Sequence, residues 1–540
     1  MAATWAMVAQ IKLSEACMRK LLLALACLSA STAAFSQVVA KIGQNFTARP
    51  AGAFDPADAN GAIGPNHFVE FINGEFSVFT RTGSLVTNVS DVTFWSRAGV
   101  TAPSGWNFAD PRTLYDPVSK RWFISQIDFD PTGVVNTNHF CLAISASSDP
   151  TGSWQGIRFL SDPGGTDGAD FDTLGLDAQG VYLSALMFDT NGFLVGPTVW
   201  SFPKADLLSA PPVTNHVTWL GELAPATRGW ALQPAVCLDG SGVGDMLGVA
   251  SLGFNQVTGN PETSTTLFGS KVQNVAGPGN ATLSSPFSLS VPGYTSPINP
   301  PQPDGSSNLD DGDSRLSSSV LEIGGVLFVA QGTEVNGRAA IRWYRLRGSN
   351  FTVLESGTIT DPVLDLFYAS VAANPSGTVV MAFNGCSSGS FINCYAVVGQ
   401  TVSGVTTFGS LMLLKAGTTS YQNPGSSGNS RWGDYSATTL DPTDPNRFWT
   451  IQMFPTATTD WSTQVTEILT AVPFLSIARS GTNVTLSWPG TAIPFNLEST
   501  PTLAHPSWTV VTQSSSSTNG VVSVQLPASG APKFFRLQGQ

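Results

Sequence analysis

Nine charged residues recur at one place in a weakly repeated pattern. Asp58, Asp110, Arg112, Asp170, Asp172, Asp313, Arg315, Arg431 and Asp434 each stand where a turn gives way to a short apolar strand. Only 11% of the 540 residues are charged, so composition alone does not account for this concentration. Carboxylates gathered at one point raise one another's pKa and a neighbouring arginine lowers it, which separates a proton donor from a carboxylate that stays ionised. That is the chemistry of paired-carboxylate glycoside hydrolysis, where a gap of about 5 Å retains the anomeric configuration and a wider one inverts it. Asp110, Asp172, Asp313 and Asp434 are the expected catalytic set, with Glu334 in reserve. Arg112, Arg315, Arg431 and Tyr368 are expected to bind substrate, and Trp432 and Tyr435, with Trp230 and Tyr421, to offer faces to a sugar ring. A turn Asp often does no more than accept backbone amides, so a structural role stands beside the catalytic one for each residue.

The elements that must position these residues are short strands. A polar turn, a small-residue strand, a second turn and an aromatic-rich strand recur from Asp58, Asp110, Asp170, Gln233, Asp313, Tyr368 and Gly433. Spacings of roughly 50 to 80 residues suit four-stranded blades, which stack radially because neither face of one blade can be buried alone. The expected fold is all-β: a seven-bladed β-propeller over 37–473, then a small β-sandwich over 474–540. The fourth unit is the most degenerate. Ser147-Ser148-Asp149-Pro150-Thr151-Gly152-Ser153-Trp154 resembles the Asp-box turn of propeller sialidases, with its glycine one place late. The resemblance implies the fold class and not sialidase activity, because the arginine-bearing opening motif of sialidases is missing. The six short alternating strands of the tail resemble the C-terminal immunoglobulin-like modules of secreted bacterial proteins.

Met18-Arg19-Lys20, an apolar run over 21–28 and Ala34-Phe35-Ser36 read as a signal peptide over 1–36 cleaved before Gln37, with Met18 the true start. Export agrees with a disulfide between Cys386 and Cys394 across a hairpin-like loop, while Cys141 and Cys237 are expected as buried thiols. No later apolar run spans a bilayer, and a net charge of −12 argues against nucleic acid as a partner. No Cys/His cluster has zinc spacing, so no metal is assigned. Calcium in a structural role is the one cofactor the loops Asp304–Asp313 and Asp167–Asp172 invite, although solvated loops explain both. A nucleophile elbow, a phosphate loop and a dinucleotide fingerprint are all missing.

The sequence therefore points to a secreted carbohydrate-active enzyme, an exo-acting glycoside hydrolase for which a β-galactosidase-type activity would fit although nothing selects galactose, with a glycan or another small extracellular substrate. The resemblance in outline to propeller glycosidases implies the same. The alternative is a non-catalytic extracellular binding or adhesion propeller.

Overall fold

A computed structural model describes residues 9–10, 38–49, 54–133, 136–252, 262–277, 279–423, 428–518, 520–531 and 533–539. Most of the signal-peptide reading lies outside them. The chain is all-β and forms two compact units: Ile42–Val397 with Ser410–Ile468, and Leu469–Gln540 with Val398–Gly409 and residues up to Lys41. Among the described residues no helix is long and apolar enough to cross a membrane.

The larger unit is built from antiparallel strand groups that follow one another along the chain, the third, fourth and fifth joined by parallel pairing of their first strands, and the first strand of each carries the repeat. Those first strands are Asn60–Ile63, Asn107–Asp116, Gly168–Leu176, Trp230–Cys237, Val320–Ile323, Asp365–Ala373 and Ala437–Leu440. Each lies against the next in chain order, and the seventh lies against the first. Val39–Thr47 joins the seventh sheet beside Asp460–Ala471, so the beginning and end of the unit share one sheet. The fifth first strand starts at Val320, later than Asp313 where the sequence pattern opens.

Apolar residues on both strand faces pack between successive sheets. Phe71, Phe76, Phe94, Trp95 and Trp122 fill the space between sheets one and two, and Phe123, Leu142, Leu183 and Phe202 that between two and three. The turn after each first strand supplies a second tie. Asp116, Asp177, Asp239, Asn374 and Asp441 accept amides of their own turns. Several also reach the following sheet: Asp116 to Lys204 (2.6 Å), Asp177 to the Gly244 amide (2.7 Å), Asp239 to the Gly324 amide (2.7 Å). Asn374 donates to the Pro445 carbonyl, and Asp441 pairs with Arg81 of sheet one. The Asp-box-like segment is the turn between His139–Ser145 and Trp154–Leu160, where Asp149 accepts from Thr151 and the Trp154 indole donates to the Pro150 carbonyl.

The smaller unit holds Ser476–Ser480, Asn483–Pro489, Val521–Pro527 and Ser516–Thr518 in one sheet, and Phe495–Thr500, Phe534–Gly539 and Thr509–Val510 in another. Leu486, Trp488, Leu497, Val524, Phe535 and Leu537 form its core.

The expected disulfide is not formed. Cys386 and Cys394 are buried thiols with different neighbours: Cys386 donates to the Pro301 carbonyl (3.3 Å) and Cys394 to the Met453 carbonyl (3.5 Å). Cys141 and Cys237 are buried thiols as well.

Candidate functional site

At the start of four first strands the ladder slips: between Ala109 and Arg112, Asp170 and Thr173, Trp230 and Gln233, and Phe367 and Ser370. Each slip contains one residue with left-handed backbone: Asp110 (φ 59°), Phe171 (56°), Ala231 (48°) and Tyr368 (50°), matched by Asp58 (48°) before the first strand. Such a conformation costs a residue with a Cβ about 1 kcal/mol or more. The same bulge recurs in four first strands, and the same backbone conformation stands before a fifth. It also corrects the repeat alignment, since Phe171 rather than Asp170 or Asp172 is the counterpart of Asp110.

The side chains just after the bulges form a belt from sheet to sheet. Asn60 accepts the Thr113 amide (2.8 Å), Arg112 Nε donates to the Asp172 carbonyl (2.8 Å) and Thr173 donates to the Leu232 carbonyl (2.8 Å). Gln233 donates to the Leu316 carbonyl (2.6 Å), Ser318 to the Ala369 carbonyl (2.8 Å) and Ser436 to the Tyr368 carbonyl (2.8 Å). Asp58 closes the circuit by accepting the Asp434 amide (2.8 Å). Arg112 crosses the ring: Nη1 reaches the Ser317 carbonyl (3.1 Å), and its guanidinium lies 3.6 Å from the Tyr435 ring centre and 5.0 Å from that of Phe171.

Asp58, Asp110 and Asp172 belong to this belt and are buried. Asp110 accepts the Phe171 amide (2.8 Å), and Asp172 accepts the Ser125 hydroxyl (2.6 Å). Burial, reinforced by Asp434, pushes Asp58 up to about 6. Burial pushes Asp172 up to about 7 against the pull of Arg112, and it holds Asp110 well above the carboxylate range with Asp170 adding to it. Trp432, Tyr435 and Tyr421 are also interior, at 1%, 3% and 0% exposure, and present no face to a sugar. Tyr435 donates to the Pro111 carbonyl and Tyr421 to Asp55.

On one side of the belt lies a mouth that solvent reaches. Asp434 is gripped through both oxygens by Arg431 (2.5 and 2.9 Å), and Asp313 by Arg315 (2.7 to 3.0 Å). These four side chains are between 21% and 31% exposed. Arg315 also lies over the Phe171 and Trp230 rings (4.4 and 5.0 Å). Asp170 is exposed, and desolvation by the surrounding protein and then Asp434 raise its pKa. Tyr368 is buried beside them and donates to the Asp310 carbonyl (3.2 Å). Glu334 accepts an amide of its own hairpin, from Gly337.

Beyond the belt the same strands line an apolar channel of about 270 Å³, with Leu114, Val236, Leu321, Val371 and Leu440 on its wall. The two sides thus differ in kind. The three arginines do not act together, because Arg112 is within the belt while Arg315 and Arg431 each hold their own carboxylate.

Of the acidic loops, Asp310 accepts the Gly312 amide and Asp313 the Arg315 amide, as in self-capped turns. Asp162, Asp167 and Glu222 each bring one oxygen within 4.8 Å of the others, but Asp162 already accepts the amides of Gly164, Thr166 and Asp167. Asp162 and Glu222 escaped the sequence reading because Glu222 is brought in by sheet pairing from far along the chain.

No protein-family profile and no curated protein matches the chain. Among solved structures, it is similar to an endo-arabinase from Bacteroides thetaiotaomicron (11% identity, 66% of this chain and 98% of that one, TM-score 0.32). An exo-β-1,3-galactanase from Phanerochaete chrysosporium gives 11% identity, 92% and 96% coverage, and a TM-score of 0.32. A Trypanosoma rangeli sialidase gives 10% identity, 79% and 59% coverage, and 0.35. At such TM-scores the case for function is left to the side chains.

Proposed function

We propose that the larger unit is a seven-bladed β-propeller, the smaller an immunoglobulin-like sandwich, and the whole a secreted glycoside hydrolase acting at the mouth of the ring. The export signal read over residues 18–36 supports secretion. A single contrast carries the catalytic reading. Asp170 is crowded, solvent-reachable and raised in pKa, while Asp434, close enough to raise it, is clamped through both oxygens by Arg431. Two carboxyl groups in such different surroundings suit a proton donor and a base or nucleophile.

In this reading Asp170 protonates the leaving oxygen and Asp434 works on the opposite side of the sugar. Arg431 orients Asp434. Asp313 with Arg315 forms the facing wall and contacts substrate, and Tyr368 closes the floor. Asp110 and Asp172, buried in the belt, position the mouth rather than react. A concave mouth backed by a belt favours terminal sugars and hence exo action. The reaction written with two carboxyl groups draws on no cofactor.

The test is a panel of nitrophenyl glycosides offered to the mature protein, followed by Asp170→Asn and Asp434→Asn on whichever is cleaved. Turnover that survives both changes would sink the assignment. One observation favours a second reading, glycan binding without turnover: both mouth arginines are already taken by their own carboxylates. Sugar binding with no cleavage across the panel would select it.

A further inference from the structure

Asp311 belongs to neither the belt nor the clamped pairs. It is 4% exposed, and neither of its carboxyl oxygens meets a hydrogen-bond partner beyond its own residue's amide. A buried polar group left this way carries its full desolvation penalty, so it calls for a partner. It lines a cavity of about 30 Å³ shared with Asp313, Arg315, Tyr368 and Asp434, so the cavity opens onto the mouth. Burial, with Asp310 adding to it, holds the Asp311 carboxyl well above the ordinary carboxylate range.

Size and charge narrow what the cavity takes. A cavity of about 30 Å³ has room for a hydroxyl-sized group, since one water needs about 10 to 15 Å³ of such space. With Asp311 holding its proton, and with Asp313 and Asp434 each paired to its own arginine, the wall carries no net charge to hold an ion. A neutral group that both donates and accepts remains. A carboxyl group that is itself protonated offers one donor and one acceptor in return.

We propose that this cavity is the seat of one hydroxyl group of the bound terminal sugar, with Asp311 as its partner. The inference rests on the mouth being a sugar site, and it makes Asp311 a specificity-determining residue. A sugar lacking that hydroxyl, or carrying it in the other configuration, would leave the buried carboxyl unpartnered and bind more weakly.

The test measures binding, so that it stands apart from turnover. Galactose, arabinose, glucose and xylose are titrated against the full-length mature protein by ligand-detected NMR. At least one is expected to bind. Asp311→Asn, which keeps a donor and an acceptor, should hold affinity within about threefold, and Asp311→Leu should lose about tenfold or more. If Asp311→Leu does not fold, Gly332→Ala reads the same cavity. A Cβ at Gly332 would stand 3.2 Å from Pro297 Cγ and 3.5 Å from the Asp313 carbonyl, both residues of the cavity wall, and so narrow the space once Pro297 gives by a few tenths of an ångström. The inference is overturned if none of the four sugars binds, or if the folded Asp311→Leu protein, or Gly332→Ala in its place, binds as wild type does. It is equally overturned if calcium raises the melting temperature of wild type and not of Asp311→Asn. Sugars that bind in the predicted pattern while no glycoside is cleaved would leave this pocket standing and remove the hydrolase reading instead.

Discussion

The belt and the mouth are made of the same residue types, arginine and aspartate, a few residues apart on the same turns. In the belt, Arg112 gives its protons to backbone carbonyls of two other sheets and stacks on Tyr435, and Asp58 and Asp110 accept backbone amides from neighbouring sheets. In the mouth, Arg315 and Arg431 each hold an aspartate of their own turn, and all four remain reachable by solvent. The difference lies in what the charge is attached to. A charge bonded to another sheet's backbone fixes the ring, whereas one bonded to a side chain of its own loop can exchange that partner for a substrate.

The largest expected effect on stability tests the belt. Arg112→Ala removes two inter-sheet hydrogen bonds and leaves Asp172 buried without its counter-charge, a loss of about 3 to 5 kcal/mol. Urea unfolding checks it. A cost no greater than that of Arg315→Ala would break the distinction, because the Arg315 pair is partly exposed and worth about 1 kcal/mol or less.

The next effect is on pH dependence. Burial raises Asp58 to about 6, Asp172 and Glu70 to about 7, and Glu322, beside Asp245, to about 8. Their unfolded values lie near 4, so the folded chain holds these protons longer. Their contribution is complete below about pH 4 and is lost as pH rises through 6 to 8. Thermal unfolding should therefore show lower stability at pH 8.5 than at pH 5. Glu322→Gln should match wild type at pH 5 and exceed it at pH 9 by about 1 to 2 kcal/mol. A melting temperature that climbs between pH 5 and 8.5 would contradict the buried-carboxyl account. The smallest effect is none at all. With Cys386 and Cys394 as separate thiols, dithiothreitol should leave the melting temperature unchanged.

Much of the ring was legible because each sheet repeats the same local grammar: an acidic turn, a small-residue first strand, an Asx turn, an aromatic second strand. That grammar placed Asp110, Asp172, Asp313 and Asp434 at the openings of the repeats. Three things escaped it. The bulge shifts register by one, so Phe171 and not an aspartate is the counterpart of Asp110; an unpaired residue has no signature in apolar periodicity. Val39–Thr47 completes the seventh sheet by pairing more than 400 residues along the chain, and long-range pairing has no local signal. Burial of Trp432 and Tyr435 depends on which way the turns face, and aromatic content alone does not reveal that. Asp311 went unremarked because in sequence it is one acid among several, and only its missing partners set it apart.

The account stands or falls on whether mouth carboxylates react while belt residues hold. The most direct measurement is kcat for Asp170→Asn and Asp434→Asn on a cleaved glycoside, with melting temperature measured on the same samples. A loss of about 10²- to 10⁴-fold in each, at nearly unchanged melting temperature, is the result predicted. Wild-type kcat in both proteins would contradict it.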